Sequence, residues 1–326
     1  MTRLLISLAG CLGMGCAVLC PLGRAFGAES PSTPRSPYPK PLREIVAALP
    51  KIAVAKVKIE TGRAPSLADR QRVEAVRVLM VYRYLCDVPF DGIVVDAECN
   101  AAAEAAAELM TRLGRLDHNP PNAGFPEAFY KRAKDGAGHS NLSGGSDMVG
   151  AVHSFMNDSD PSNIDRLGHR RWLLNPKLGK TGIGSAARCT AMWVVDSSRK
   201  SAPDYEFVAY PARGYMPLSH FKAGHAWSVS LNPASYANPT KDSVKVAVYP
   251  LNEKLQKARK PLPLNYFNVN ADGFGEGPVI IFRPDGLLLA SRARYGVEIS
   301  GIKTRQGSPA GLQYLVEFID LSGAKE

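Results

Sequence analysis

The hydrophobic period of the chain changes at about Pro203, and this change limits the available folds more than any other feature. Upstream, apolar residues recur at three- and four-residue intervals, as in Leu67, Val73, Val76, Leu79, Met80 and Tyr84, which places them on one face of a helix. Downstream come "YEFVAYP", "AWSVSL", "SVKVAVYPL", "LNYFNV", "PVIIFRP", "YGVEISGI" and "LQYLVEFIDL". These runs are short, rich in Val, Ile, Tyr and Phe, and separated by Gly, Pro, Asn and Asp, so they read as strands. Strands at this spacing predict a β-sandwich of immunoglobulin-like type over residues 205–322. A Cys-Trp-Cys framework is absent there, so an antibody-type domain is not expected. The chain is therefore expected to be α+β, with a mixed domain over 66–200 preceding an all-β one.

Residues 1–27 read as a secretory signal peptide: Arg3, an apolar run from Leu4 to Leu22, and Ala25-Phe26-Gly27 with small residues at the two positions a signal peptidase reads. Secretion, or retention in the periplasm or cell envelope, follows from that reading. Leu8-Ala9-Gly10-Cys11 offers a lipoprotein site as the minor alternative. Residues 28–65 begin with "ESPSTPRSPYPKP", whose prolines favour extended chain. A short helix, and a strand less firmly, is expected after it, interrupted at Pro50. Removing Arg3 and Arg24 takes the formal charge from +10 to +8 without leaving a lysine block, a pattern of a cationic surface and not of nucleic-acid binding.

Three of the six cysteines, Cys86, Cys99 and Cys189, lie beyond the signal. Cys86 and Cys99 flank a short connection between two expected helices and form the candidate disulfide, with Cys189 a buried free thiol. No CxxC pair occurs, so zinc ribbons and thioredoxin chemistry are excluded. Ser66, followed by Asp69, predicts one helix start; Asp96, ahead of an alanine-rich stretch, predicts a second. His118 then sits at a rigid exit before Pro120-Pro121. "GFPEAFYKRAKDGAG" predicts a short helix, "HSNLSGG" a loop, "SDMVGAVHSFMNDSD" a helix capped by Ser146 or Asp147, and "RCTAMWVVD" a strand.

Gly168-His169-Arg170, Leu173-Leu174-Asn175-Pro176 and Gly182-Ile183-Gly184 follow the spacing GHR-x-x-LLNP-x-x-x-x-x-G-x-G. Together with "YRYLCDVP", "AAAEAAAELMTRLGRLDH" and "SNL", this resembles the bacterial branch of the CAP superfamily of cysteine-rich secretory proteins, antigen 5 and pathogenesis-related proteins. The resemblance spans residues 66–200. It implies an α-β-α sandwich with a concave site of two histidines and two acids. Its histidines fall on His118 and His169, its second acid on Asp158, and its first acid on Ser140, because "HSNL" stands where "GENL" is expected.

The resemblance further implies that His118 and His169 bind zinc or another divalent metal, with His139 or Asp158 as the third ligand. The alternative for His169 is structural: it starts a helix and bonds locally, with Arg170 and Arg171 paired to acids such as Asp165. A Ser140 nucleophile oriented by an imidazole and Asp158 gives the runner-up reading, a hydrolase of peptide or ester bonds. No Gly-x-Ser-x-Gly elbow or His-Glu-x-x-His helix accompanies it. Binding is therefore preferred to catalysis, with lipid, a small apolar ligand or an envelope or extracellular partner in the cleft. The Gly-Lys run at 179–184 lacks a phosphate-loop pattern. His153 reads as packed or on a helix surface, and His220 and His225 as surface or interdomain residues.

Overall fold

Ser66 starts the first long helix as its sequence requires. Its hydroxyl accepts the Asp69 amide at 3.1 Å, and the Asp69 carboxylate accepts the Ser66 amide at 2.9 Å, the reciprocal bonds of a capping box. In a computed structural model, residues 36–55, 66–201 and 204–322 are described. The signal peptide expected over residues 1–27 and the lipoprotein alternative at Cys11 lie outside them. From Pro37 on, the chain forms one compact unit.

The N-terminal elements are α1 (Leu42–Ala55), α2 (Leu67–Leu85), β1 (Val94–Val95), α3 (Ala97–Leu113), α4 (Glu127–His139), β2 (Ser140–Gly144), α5 (Met148–Asn157), α6 (Gly168–Leu173), β3 (Lys180–Ala186) and β4 (Cys189–Trp193). Their strands form a sheet in the order β1-β3-β4-β2. Alternation along β4 separates two cores: Ala191 packs with α3 and α4, while Met192 packs with α2 and α5. Helices thus cover both faces. The alanines of α3 permit unusually close approach to β3, where a Cβ on Gly184 would lie 2.3 Å from the Glu104 amide nitrogen.

Three local expectations are corrected. Helix α1 continues through Pro50, since a proline removes one hydrogen bond without necessarily ending the helix. "HSNLSGG" contains strand β2, paired antiparallel with β4 from Ser140↔Trp193 to Gly144↔Cys189; tertiary pairing supplies the order that its polar composition does not signal. Cys86 and Cys99 are free and buried, against the candidate disulfide. Cys86 lies in the α2–α5 core, whereas Cys99 faces β3, its Cβ 2.7 Å from where a Gly182 Cβ would sit. Burial pushes both thiols up to about 12, so neither is reactive as a thiolate at neutral pH. Cys189 is also free but only half-buried.

The C-terminal part is β-rich: β5 (Phe207–Tyr210), β6 (Gly214–Pro217), β7 (Trp227–Leu231), β8 (Lys245–Leu251), β9 (Leu264–Asn270), β10 (Val279–Pro284), β11 (Arg294–Lys303) and β12 (Pro309–Ile319). They make two four-stranded sheets, β5-β7-β10-β9 and β6-β12-β11-β8. Trp227 lies between them, 6.1 Å from the Tyr295 ring and 6.3 Å from the Phe318 ring. β10 reads as an unbroken apolar run because both its faces are covered. Ile280 and Phe282 join the main core, while Val279 and Ile281 pack on Ile164 and Leu167 ahead of α6.

Two consecutive arginines fasten the parts together. Buried Arg170 donates to Met156 O, Asn157 O, Ala226 O and Ser228 Oγ at 2.5–3.0 Å, and its guanidinium lies 4.4 Å from the Tyr210 ring centre. Arg171 reaches Asn270 Oδ1 and the carbonyls of Arg166, Asp272 and Gly277. These partners replace the acid pairing expected from sequence. Truncating Arg170 to Ala strands several buried acceptors and opens a cavity, so it is expected to cost more than about 3 kcal/mol in urea denaturation. Lys, lacking the planar fork, is expected to restore little of that loss.

Candidate functional site

His169 occupies the first turn of α6, after Leu167 in a left-handed conformation (φ 49°). Its Nδ1 lies 2.8 Å from Asp158 Oδ1. Asp158 itself caps the C-terminus of α5, has a fully buried side chain, and accepts the Arg170 amide on Oδ2 at 3.2 Å. The carboxylate therefore fixes the imidazole with its proton on Nδ1 and leaves Nε2 as the free nitrogen. Asn141 Nδ2 braces the same turn by donating to His169 O at 3.0 Å.

His118 comes from the other helical layer. Helix α3 ends at Gly114 in the left-handed region (φ 68°), and Asp117 turns the chain by accepting the Asn119 amide at 2.9 Å. The His118 Nδ1–H donates to Ala137 O in the last turn of α4 at 3.0 Å. Again Nδ1 is occupied by a fixed acceptor and Nε2 is left over.

Both imidazoles line one cavity of about 400 Å³, together with Ser140, Asn141, Asn163, Arg166, Trp172 and Phe274. The sequence-derived candidates His118, Ser140 and His169 are thus brought together, with Asp158 directly behind His169. Ser140 is 2% exposed, and its Oγ has no hydrogen-bond partner; no hydroxyl among the described residues bonds to either imidazole. His139 does not join the site: its ring stacks on Trp193 at 4.4 Å and its Nδ1 faces Asp135 at 3.1 Å. Among the described residues, no group of three or more His, Cys, Asp or Glu is placed to hold a metal. Asn163 and Arg166 could have been suspected from their closeness to the GHR motif. Phe274 announces itself only as an aromatic set between the glycines of "DGFGEG".

Residues 91–196 match the model of CAP, the cysteine-rich secretory protein family. This segment is similar to a CAP domain. The match includes both histidines, Ser140 and Asp158, and ends where the β-rich part has yet to begin. No curated protein and no solved structure matches the chain.

A second cavity of about 490 Å³ lies between α1, α2 and α5, lined by Val46, Leu49, Val78, Val81 and Val149, with His153 and His220 on its wall. His153 Nδ1 is 2.8 Å from Tyr82 Oη, and His225 Nδ1 is 3.0 Å from Tyr210 Oη. His225 is buried and His220 half-buried. Burial pulls His220 down to about 4 and His225 to about 3, aided by His153 in the first case and Arg170 in the second. An unfolded imidazole takes up its proton near pH 6.5, so between there and about pH 4 the unfolded chain binds more protons than the folded one. Stability is therefore expected to fall as pH drops through that window. Scanning calorimetry should show the falling midpoint, and His220→Gln should flatten its slope.

Proposed function

We propose that the protein is a binding protein exported to the envelope or beyond it, whose CAP cleft takes its ligand beside a divalent cation such as zinc held by His118 and His169. One observation carries this reading: each imidazole has its Nδ1 tied to a fixed oxygen acceptor, so both leave Nε2 as a lone-pair donor on the same cavity. Metal-binding histidines are oriented in this way by carboxylates and backbone carbonyls. Asp158 serves as that orienting partner and not as a third ligand. Two imidazoles alone leave coordination positions for water and for a ligand oxygen, the arrangement of a conditional site. The apolar run at the N-terminus supports export.

The hydrolase reading draws on the Asp158–His169 pair, which supplies two members of a nucleophile-activating set. It is the weaker one, because Ser140 Oγ borders the cavity without a hydrogen bond to either imidazole. The apolar cavity beside α1 supports a lipid or small apolar molecule as a further ligand. For the β-rich part, two facing four-stranded sheets support an immunoglobulin-like sandwich.

Isothermal titration of zinc into the chelated protein tests the cleft. Saturable heat is expected in the wild type and should vanish in His118→Ala and in His169→Ala. Asp158→Asn should weaken binding about tenfold or more by loosening the His169 ring. Equal binding in all four proteins, or none in the wild type, removes the two-histidine site.

A further inference from the structure

We propose that the ligand cleft is a joint site, in which the hairpin between β9 and β10 supplies Phe274 as an apolar wall, and that the ligand is a carboxylate carrying an apolar ring. This rests on the reading of the histidine cavity as the ligand cleft and adds the ligand's chemistry to it.

The hairpin is fixed against the CAP domain. Arg171 donates to Asn270 Oδ1 at 2.9 Å and to the carbonyls of Asp272 and Gly277 at 2.7 and 2.8 Å. Gly275 has φ 58° and lies so close that a Cβ there would meet Arg171 O at 2.5 Å. Lys177 and Glu276 form an ion pair at 3.2 Å on the same stretch. The Phe274 ring rests on Gly168, where a Cβ would come within 2.8 Å of its Cδ1, and the next residue is His169. The guanidinium carbons of Arg166 and Arg171 lie 5.8 and 5.7 Å from the ring centre. Phe274 thus reaches the cavity as a positioned wall, and not as a loose loop residue.

The lining gives the ligand's chemistry. Phe274 and Trp172 provide apolar ring surface, while Arg166 provides hydrogen-bond donors and the two imidazoles a cation seat. No Asp or Glu is among the residues lining the cavity; the nearest carboxylates are already engaged, Asp158 with the His169 Nδ1–H at 2.8 Å and Asp165 with Arg166 at 3.1 Å. Ser140 Oγ is a buried hydroxyl without a partner on this wall, and such groups are rare unless a ligand or water oxygen meets them. A carboxylate supplies that oxygen, with its second oxygen free for Arg166 or an open position on the metal. A ring attached to it meets Phe274 and Trp172.

The test titrates benzoate, acetate and benzyl alcohol into the full chain, with and without zinc. Benzoate is expected to bind about tenfold more tightly than acetate, and benzyl alcohol to give no saturable signal. Phe274→Ala should bring the benzoate-to-acetate ratio near one, while Phe274→Leu keeps most of it. Should the alanine variant fail to fold, nuclear Overhauser contacts between benzoate and the wild-type Phe274 ring decide the matter. Their absence in a saturated complex overturns the proposal. So does a ratio that Phe274→Ala leaves intact, or benzyl alcohol binding as well as benzoate. Zinc binding lost in the histidine variants, without a Phe274-dependent ratio, sinks this inference alone. A Phe274-dependent ratio in a protein that binds no zinc supports it and sinks the metal site alone.

Discussion

The carboxylate of Asp158 joins the two jobs of the molecule. One oxygen holds the His169 ring and the other accepts the Arg170 amide, so the turn that aims the imidazole is also the turn that sends two arginines toward the β-rich sheets. A left-handed backbone at Asp158 and another at Leu167 bracket the segment. Between them, Ile164 and Leu167 seal the outer face of β10. The geometry of the cleft and the attachment of the C-terminal part consequently depend on a single stretch of about fifteen residues, which ends in the Gly168-His169-Arg170 run.

The two imidazoles reach that cleft from separate supports. His118 is hung from α3 and braced by α4, on one side of the sheet; His169 begins α6 and leans on α5, on the other. Each is oriented by an acceptor that leaves the same nitrogen available. Two independently braced rings thus converge on one cavity, whereas the His139 ring is stacked on Trp193 and lies outside it.

Much of this was legible before any coordinates. Ser66 and Asp96 cap the helices the sequence assigns to them, and the seven strand-like runs beyond Pro203 all became strands because their composition and spacing are local signals. The motif histidines and Asp158 were legible through resemblance. What failed was non-local. "HSNLSGG" carries one apolar residue and becomes a strand only because β4 lies beside it, and the Cys86–Cys99 pairing rested on sequence proximity that the intervening packing defeats. Asp165 seemed a natural partner for the arginines, yet the arginines turn inward to backbone oxygens. Phe274 lies about a hundred residues from the motif it touches, beyond the reach of periodicity or capping rules.

The choice of acceptors for Arg170 and Arg171 has its own consequence. Most are main-chain carbonyls, which every residue type possesses and which take up no proton in the ordinary pH range. Substitution on the receiving side seldom deletes such an acceptor, and acid does not neutralise it. On the β-rich side Ala226 O, Asp272 O and Gly277 O are such acceptors, so these three bonds outlast any substitution that keeps the backbone in place, while Ser228 Oγ and Asn270 Oδ1 tie the join to particular residues.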